Sequence, residues 1–193
     1  MTVSAVVNDV ADRPPGRGWR RLVAALAALS ALAIAPLAHA EPGAFGLRGG
    51  SSVDGDGERF AAAEVFLRRP LPWVWRAAGG WSVTTHLEGS IAGLKRAGES
   101  GTALSAGPVT VWNHRGRRWR FEIGVKPTLL TEDRFGTREL GGHFHFTSHL
   151  GIRYDLRPRI SLGYRLQHTS NAGISSPNPG LDLQLLTLDL AFH

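Results

Sequence analysis

The sequence predicts an all-β chain closed as an eight-stranded antiparallel transmembrane β-barrel, on three observations. Polar and apolar residues alternate with a period of two in one segment after another, the pattern of a strand whose two faces meet different surroundings. Beyond residue 40 no apolar stretch approaches the ~18 residues of a membrane-spanning helix. Trp73, Trp75, Trp81, Trp112, Trp119 and Tyr154 gather near the ends of the alternating segments, where an interfacial belt would sit. Composition agrees: of 193 residues 42% are hydrophobic and 20% charged, too apolar for a disordered chain, while 24 Gly and 11 Pro are many for a helical bundle. The absence of cysteine excludes disulfide frameworks, thiolate zinc sites and cysteine nucleophiles.

Residues 1–40 read as an export signal that is cleaved. Arg13, Arg17, Arg20 and Arg21 form a basic head, Leu22 to Ala35 is an apolar run without a charge, and Ala38-His39-Ala40 offers a small-x-small cleavage site before Glu41. Pro36 stops the run well short of the ~20 residues of a membrane anchor. The mature barrel is then 41–193. Losing four arginines, Asp9 and Asp12 with the leader leaves it 18 basic and 14 acidic side chains, a milder imbalance than the +6 of the whole chain. For an exported protein such a surface meets lipid headgroups or phosphates, and no nucleic-acid partner is expected.

Eight segments carry the strand pattern, near 44–53, 59–69, 81–95, 103–114, 118–130, 143–154, 160–170 and 182–192. Gly and Ser dilute it in the first and fourth. In the third, Trp81, Val83, Thr85, Leu87 and Ile91 oppose Ser82, Thr84, His86, Glu88 and Ser90; in the fifth, Trp119, Phe121, Ile123 and Val125 oppose Arg120, Glu122, Gly124 and Lys126. The sixth sets Phe144, Phe146, Leu150, Ile152 and Tyr154 against His143, His145, Thr147, His149 and Arg153. Leu162, Tyr164 and Leu166 share a face in the seventh, as do Leu186, Leu188, Leu190 and Phe192 in the eighth. Turn residues separate the segments: Asp54 to Gly57, Ala78 to Gly80, Gly98 to Gly101, His114 to Gly116, Gly141-Gly142 and Arg157-Pro158.

Which face is wet decides between a soluble barrel, apolar inside, and a membrane barrel, apolar outside. Parity does not separate them. The aromatic belt and the uniformly apolar face of the last segment favour lipid, although His193 follows Phe192 where such barrels often end on an aromatic residue.

One stretch can carry chemistry. His168 and Ser170 are two residues apart, so on an extended chain both side chains leave one face with Cα atoms ~6.5–7 Å apart, and an imidazole reaches a hydroxyl. Both share parity with Leu162, Tyr164 and Leu166, an apolar face where polar groups are costly unless paired. Asp182 shares parity with Leu186 to Phe192, and in a hairpin of the last two segments it returns beside His168. A Ser, a His and a carboxylate meeting at a barrel rim is the arrangement that activates a hydroxyl. The Asn171-Ala172-Gly173 bend could turn backbone N–H groups toward a developing oxyanion, with the Asn178 side chain as a second donor. The structural alternative is a turn of ordinary Ser and Asn residues with Asp182 closing an Asx-turn.

The run His168-Thr169-Ser170-Asn171-Ala172-Gly173-Ile174, followed by Pro177-Asn178-Pro179-Gly180-Leu181-Asp182, resembles the lipid A 3-O-deacylase (PagL) family. That resemblance implies an eight-stranded outer-membrane esterase with its site on the lipid-facing outside: Ser170 as nucleophile, His168 as base, Asp182 as acid, Gly173 and Asn178 as oxyanion-hole candidates. It implies lipid A, part of lipopolysaccharide, as substrate, hydrolysis of its 3-O-linked hydroxyacyl chain, and no cofactor or metal. The acyl chain would lie along Leu162, Leu166 and Leu186. One departure is that the family's acid is Glu, and Asp182 is a methylene shorter. Outer-membrane phospholipase A resembles the same His-x-Ser-Asn run, but its twelve strands exceed what 153 mature residues supply at ~10 residues per strand. The competing reading is a non-catalytic outer-membrane barrel, a lipid binder or a structural envelope protein; a third is a soluble periplasmic lipocalin-like barrel. Oligomeric state is left open, a homodimer among the arrangements allowed.

Two further clusters read blandly. Arg115, Arg117, Arg118 and Arg120 surround a turn and read as a solvated loop rather than a phosphate site; His143, His145 and His149 read as lumen filling rather than metal ligands, since no carboxylate completes a set.

Overall fold

The computed structural model describes residues 43–53 and 58–192. The expected export signal lies outside the described residues. Eight long strands close into one antiparallel barrel: β1 (Gly43–Ser52), β2 (Ala61–Arg76), β3 (Trp81–Arg96), β4 (Glu99–His114), β5 (Trp119–Leu130), and, after a two-stranded hairpin β6 (Arg134–Phe135) and β7 (Arg138–Glu139), β8 (Phe144–Arg157), β9 (Ile160–Ser170) and β10 (Leu181–Phe192). Each long strand pairs with its neighbour in the sequence, β5 with β8 across the small hairpin, and β1 closes the cylinder on β10. Closure leaves no unpaired edge, the condition for placing strands in lipid.

The eight expected segments are these eight strands, with differences at their ends. β2 runs seven residues past the expected 59–69. Pro70 and Pro72 lack N–H groups and the register shifts between Pro70 and Val74, so the period of two breaks before pairing resumes at Val74. β4 begins at Glu99, inside the expected Gly98–Gly101 turn, because the turn itself is only Ala97-Gly98, both at positive φ. Gly101 belongs to the strand: a Cβ there would come 2.8 Å from the ring of Phe135, so this glycine marks a close approach instead of a bend.

Burial answers the question of the wet face. Leu186 is 69% exposed and Leu150 60%, while Arg165, Glu88 and Lys126 are 0% exposed, so the apolar faces point out and the charges point in. This is the distribution of a barrel solvated by lipid, and it removes the soluble lipocalin-like reading. The interior is held by an ion network. Glu88 accepts from Arg48 (2.7 Å), Arg68 (2.6 Å), Arg165 (3.0 Å) and Lys126 (3.0 Å), and Glu122 accepts from Arg165 (2.5 Å) and Arg68 (3.1 Å). Arg153 bridges Glu122 and Asp189. Of the three histidines read as lumen filling, His145 and His149 are buried inside the barrel, whereas His143 precedes β8 and is exposed; among the described residues no group of three or more His, Asp or Glu could hold a metal.

Removing one partner of a buried ion pair leaves uncompensated charge behind and costs about 3–5 kcal/mol. Glu88→Gln, which strands four cations, is expected to lower stability by about 3 kcal/mol or more. Denaturant unfolding of the protein in micelles checks this, and an unchanged midpoint would show that the network does not hold the barrel.

Above the charged layer the lumen turns apolar. Phe60, Leu94, Leu130, Leu181, Leu183 and Leu185 pack around Phe135 and Leu140, which the β6–β7 hairpin carries into the barrel mouth. Phe60 and Phe135 meet edge to face with centroids 5.1 Å apart. That hairpin falls in a stretch without strand periodicity and was not among the expected segments. The long connections 131–143 and 171–180 open at this end, together with the two-residue turn between β3 and β4, and in barrels of this kind it is the extracellular one; the short turns at 77–80, 115–118 and 158–159 and the strand ends at Gly43 and Phe192 lie at the other.

Candidate active site

Strands β9 and β10 position the side chains singled out in the sequence. Along β9 the burial pattern alternates so that Ser161, Arg165 and Thr169 point into the barrel, while Leu162, Tyr164, Leu166 and His168 are exposed outside; Ser170 continues the outer set. On β10, Leu181, Leu183 and Leu185 are buried and Asp182 lies exposed between them. His168 and Asp182 are direct cross-strand partners, and His168 Nδ1 lies 2.7 Å from Asp182 Oδ1. A carboxylate only accepts, so Nδ1 carries the hydrogen, and in the neutral ring Nε2 is then the acceptor. The shorter acid therefore spans the gap, because the register places it straight across the ladder. Half of each side chain remains accessible, 50% for His168 and 53% for Asp182.

Ser170 is the last residue of β9 and stands opposite Phe146 of β8, whose ring packs edge to face on Phe144 at 5.1 Å. His168, Ser170 and Asp182 thus lie on one surface, at the lipid-facing rim of the long-loop end. Gly180 covers the imidazole. Its φ is +68°, and a Cβ there would come 2.8 Å from His168 Cε1. Arg138 of the small hairpin donates to the Gly180 carbonyl at 3.0 Å and ties this turn to the barrel mouth.

The 171–180 loop is organised by a residue whose part the sequence reading missed. Asn171 is 0% exposed, and its Nδ2 lies 2.9 Å from Gly141 O, 2.9 Å from Ser175 O, 3.0 Å from Ser175 Oγ and 3.1 Å from Pro177 O. The signal was parity: Asn171 continues the inward set of Ser161, Arg165 and Thr169. The same residue engages both oxyanion-hole candidates. Gly173 N–H donates to Asn171 Oδ1 at 2.9 Å, and the Asn171 N–H donates to Asn178 Oδ1 at 3.1 Å. Gly173 therefore presents an N–H already in use, whereas Asn178 keeps its amide nitrogen, the donating end, for another partner.

An open groove of about 630 Å³ runs over the outer surface beside the histidine, walled by Ile123, Val125, Leu150 and Leu166 with Ser148, His168 and Asp182 at its upper end. Of the residues of the expected acyl track, Leu166 lines this groove and Leu162 and Leu186 do not. The small Ser148 side chain, cross-strand partner of His168, lowers the surface on the β8 side, so the groove opens across β8 and β5.

The description "Lipid A 3-O-deacylase (PagL)" matches residues 61–191. The chain is 32% identical over 150 residues to "Lipid A deacylase PagL" of Bordetella bronchiseptica, covering 75% of this chain and 84% of that protein. To "Lipid A deacylase PagL" of Pseudomonas aeruginosa it is 29% identical over 173 residues, 83% of this chain and 91% of the relative. The solved structure titled "Crystal structure of the outer membrane enzyme PagL" superposes with a TM-score of 0.65 at 21% identity over 78% of this chain and 99% of that one, which supports the fold. With a family match across most of the barrel, a lipid-facing exterior and eight closed strands, the chain belongs to the lipid A 3-O-deacylase (PagL) family of outer-membrane barrels.

Proposed function

We propose that this barrel removes the 3-O-linked hydroxyacyl chain of lipid A as a serine esterase, with Ser170 as nucleophile, His168 as general base and acid, and Asp182 as orienting acid. The observation that carries the proposal is the 2.7 Å contact between His168 Nδ1 and Asp182 on the face that also bears Ser170. Asp182 holds the tautomer in which Nε2 takes the Ser170 proton as Oγ attacks the ester carbonyl. The tetrahedral intermediate collapses when the bond to the sugar oxygen breaks, and His168 returns the proton to that oxygen. A water deprotonated by the same Nε2 then cleaves the acyl-enzyme, freeing the hydroxy fatty acid and restoring the serine. The Asn178 amide is the donor retained for the oxyanion; Gly173 N–H can join only by leaving Asn171 Oδ1. The apolar groove beside His168 is placed to take the acyl chain, so the substrate need not leave the membrane.

Asp182→Asn is expected to lower kcat by about 10²- to 10⁴-fold, because the amide can donate to Nδ1 and so favour the wrong tautomer, and Asp182→Glu to retain most activity. Hydroxy fatty acid released from purified lipid A in micelles is the readout. Equal activity of Asp182→Asn and wild type would remove Asp182 from the mechanism.

A further inference from the structure

We propose that the short-turn end of the barrel is a binding collar for the phosphates of anionic glycerophospholipids in the periplasmic leaflet. Arg76, Arg115, Arg117, Arg118, Arg157 and Arg159 are all exposed there, and none forms an ion pair with a described residue. The turns that carry them are contiguous. Arg115 N–H donates to Gly80 O at 2.8 Å, joining the β4–β5 turn to the β2–β3 turn; Asp155 N–H donates to Arg118 O at 2.9 Å, joining it to the end of β8. Ala191 N–H donates to Arg159 O at 2.9 Å, which brings the β8–β9 turn against β10.

Arg120, grouped with these arginines in the sequence, points into the barrel instead, where Asp155 and Ser161 (2.8 Å) bind it. Asp155 and Asp189, the acidic side chains level with Ser161 near these turns, are both already engaged, by Arg120 and Arg153. The opposite rim mixes signs, as in the Arg134–Glu139 pair at 2.8 Å. One end of the barrel therefore carries uncompensated positive charge.

Position selects the occupant. Trp75, Trp81, Trp112, Trp119 and Tyr154 lie on the outer face within a few residues of the arginines, and the Trp119 and Tyr154 rings meet at 4.6 Å. Such aromatics sit at headgroup level, so guanidinium groups just beyond them lie in the phosphate layer. A guanidinium fork matches a phosphate with two parallel hydrogen bonds, and six of them suit a lipid with net negative charge over a zwitterionic one. This collar is remote from the esterase site and does not depend on that reading.

The test uses the purified protein in phosphatidylcholine vesicles with spin-labelled phosphatidylglycerol or phosphatidylcholine as probe, measuring the motionally restricted lipid. Wild type is expected to prefer phosphatidylglycerol at least about threefold, less so at high salt. The preference should fall toward one when the six arginines become glutamine, and stay with Arg59→Gln/Lys95→Gln at the opposite rim. Arg115→Gln/Arg117→Gln/Arg118→Gln gives a partial loss and serves if the sixfold variant does not fold. Equal restriction of the two lipids by wild type, a preference that survives the arginine changes, or inorganic phosphate displacing the lipid better than chloride at equal ionic strength would each overturn the lipid assignment.

Discussion

Ser170→Ala is expected to abolish hydroxy fatty acid release from lipid A, by at least about 10³-fold, with the barrel still folded. The magnitude follows from the cooperation of the three groups: without the nucleophile the His168–Asp182 pair has no acyl acceptor to activate, and losing a nucleophile costs nearly as much as losing the whole set. Ser170 lies at the end of β9, outside the Glu88 network and the apolar cluster of the mouth, so the substitution removes a hydroxyl without touching what closes the cylinder. Mass spectrometry of lipid A from cells producing each protein reads the result directly. Acyl loss seen equally with Ser170→Ala and wild type, or with neither, would sink the esterase mechanism and favour a non-catalytic barrel.

Gly180→Ala is expected to be the most damaging change that removes no reacting group. Its Cβ would press within 2.8 Å of His168 Cε1, and the +68° φ is strained for any residue with a Cβ. The backbone strain is worth roughly 1–2 kcal/mol, a modest loss for a barrel closed by eight strands. The imidazole must then turn or shift, and a displacement of about 1 Å in a catalytic group costs on the order of 10²-fold in rate. We therefore expect kcat to fall about 10²-fold while folded yield, read by heat-modifiable gel mobility, stays near wild type. Activity within twofold of wild type would mean that the His168 position set by this turn does not matter to the reaction.

These outcomes depend on features legible to different degrees in the chain. Strand parity is local, two residues at a time, so the shared face of His168 and Ser170 could be read from the run Leu162-Tyr164-Leu166-His168-Ser170, and Asp182 followed from its place in the next alternating segment. The hairpin supplied the rest, since antiparallel neighbours must bring its first residues back beside the last of β9. Asn171 escaped because its contacts reach Gly141, thirty residues upstream in another connection. The groove escaped because its walls come from β5, β8 and β9, and only their lateral order shows that Ser148 lowers the surface beside His168.

Local chain geometry alone thus accounts for the strands, their two-faced character and the common surface of the three candidate groups, because period-two alternation is written residue by residue. Closure decided the remainder. Whether charges or leucines face lipid, where the Phe135 hairpin inserts, which side of His168 is open and how three separate turns assemble one arginine collar are set by long-range pairing around the cylinder. Neighbouring residues hold no record of such contacts, since each forms only when strands distant in the chain come together.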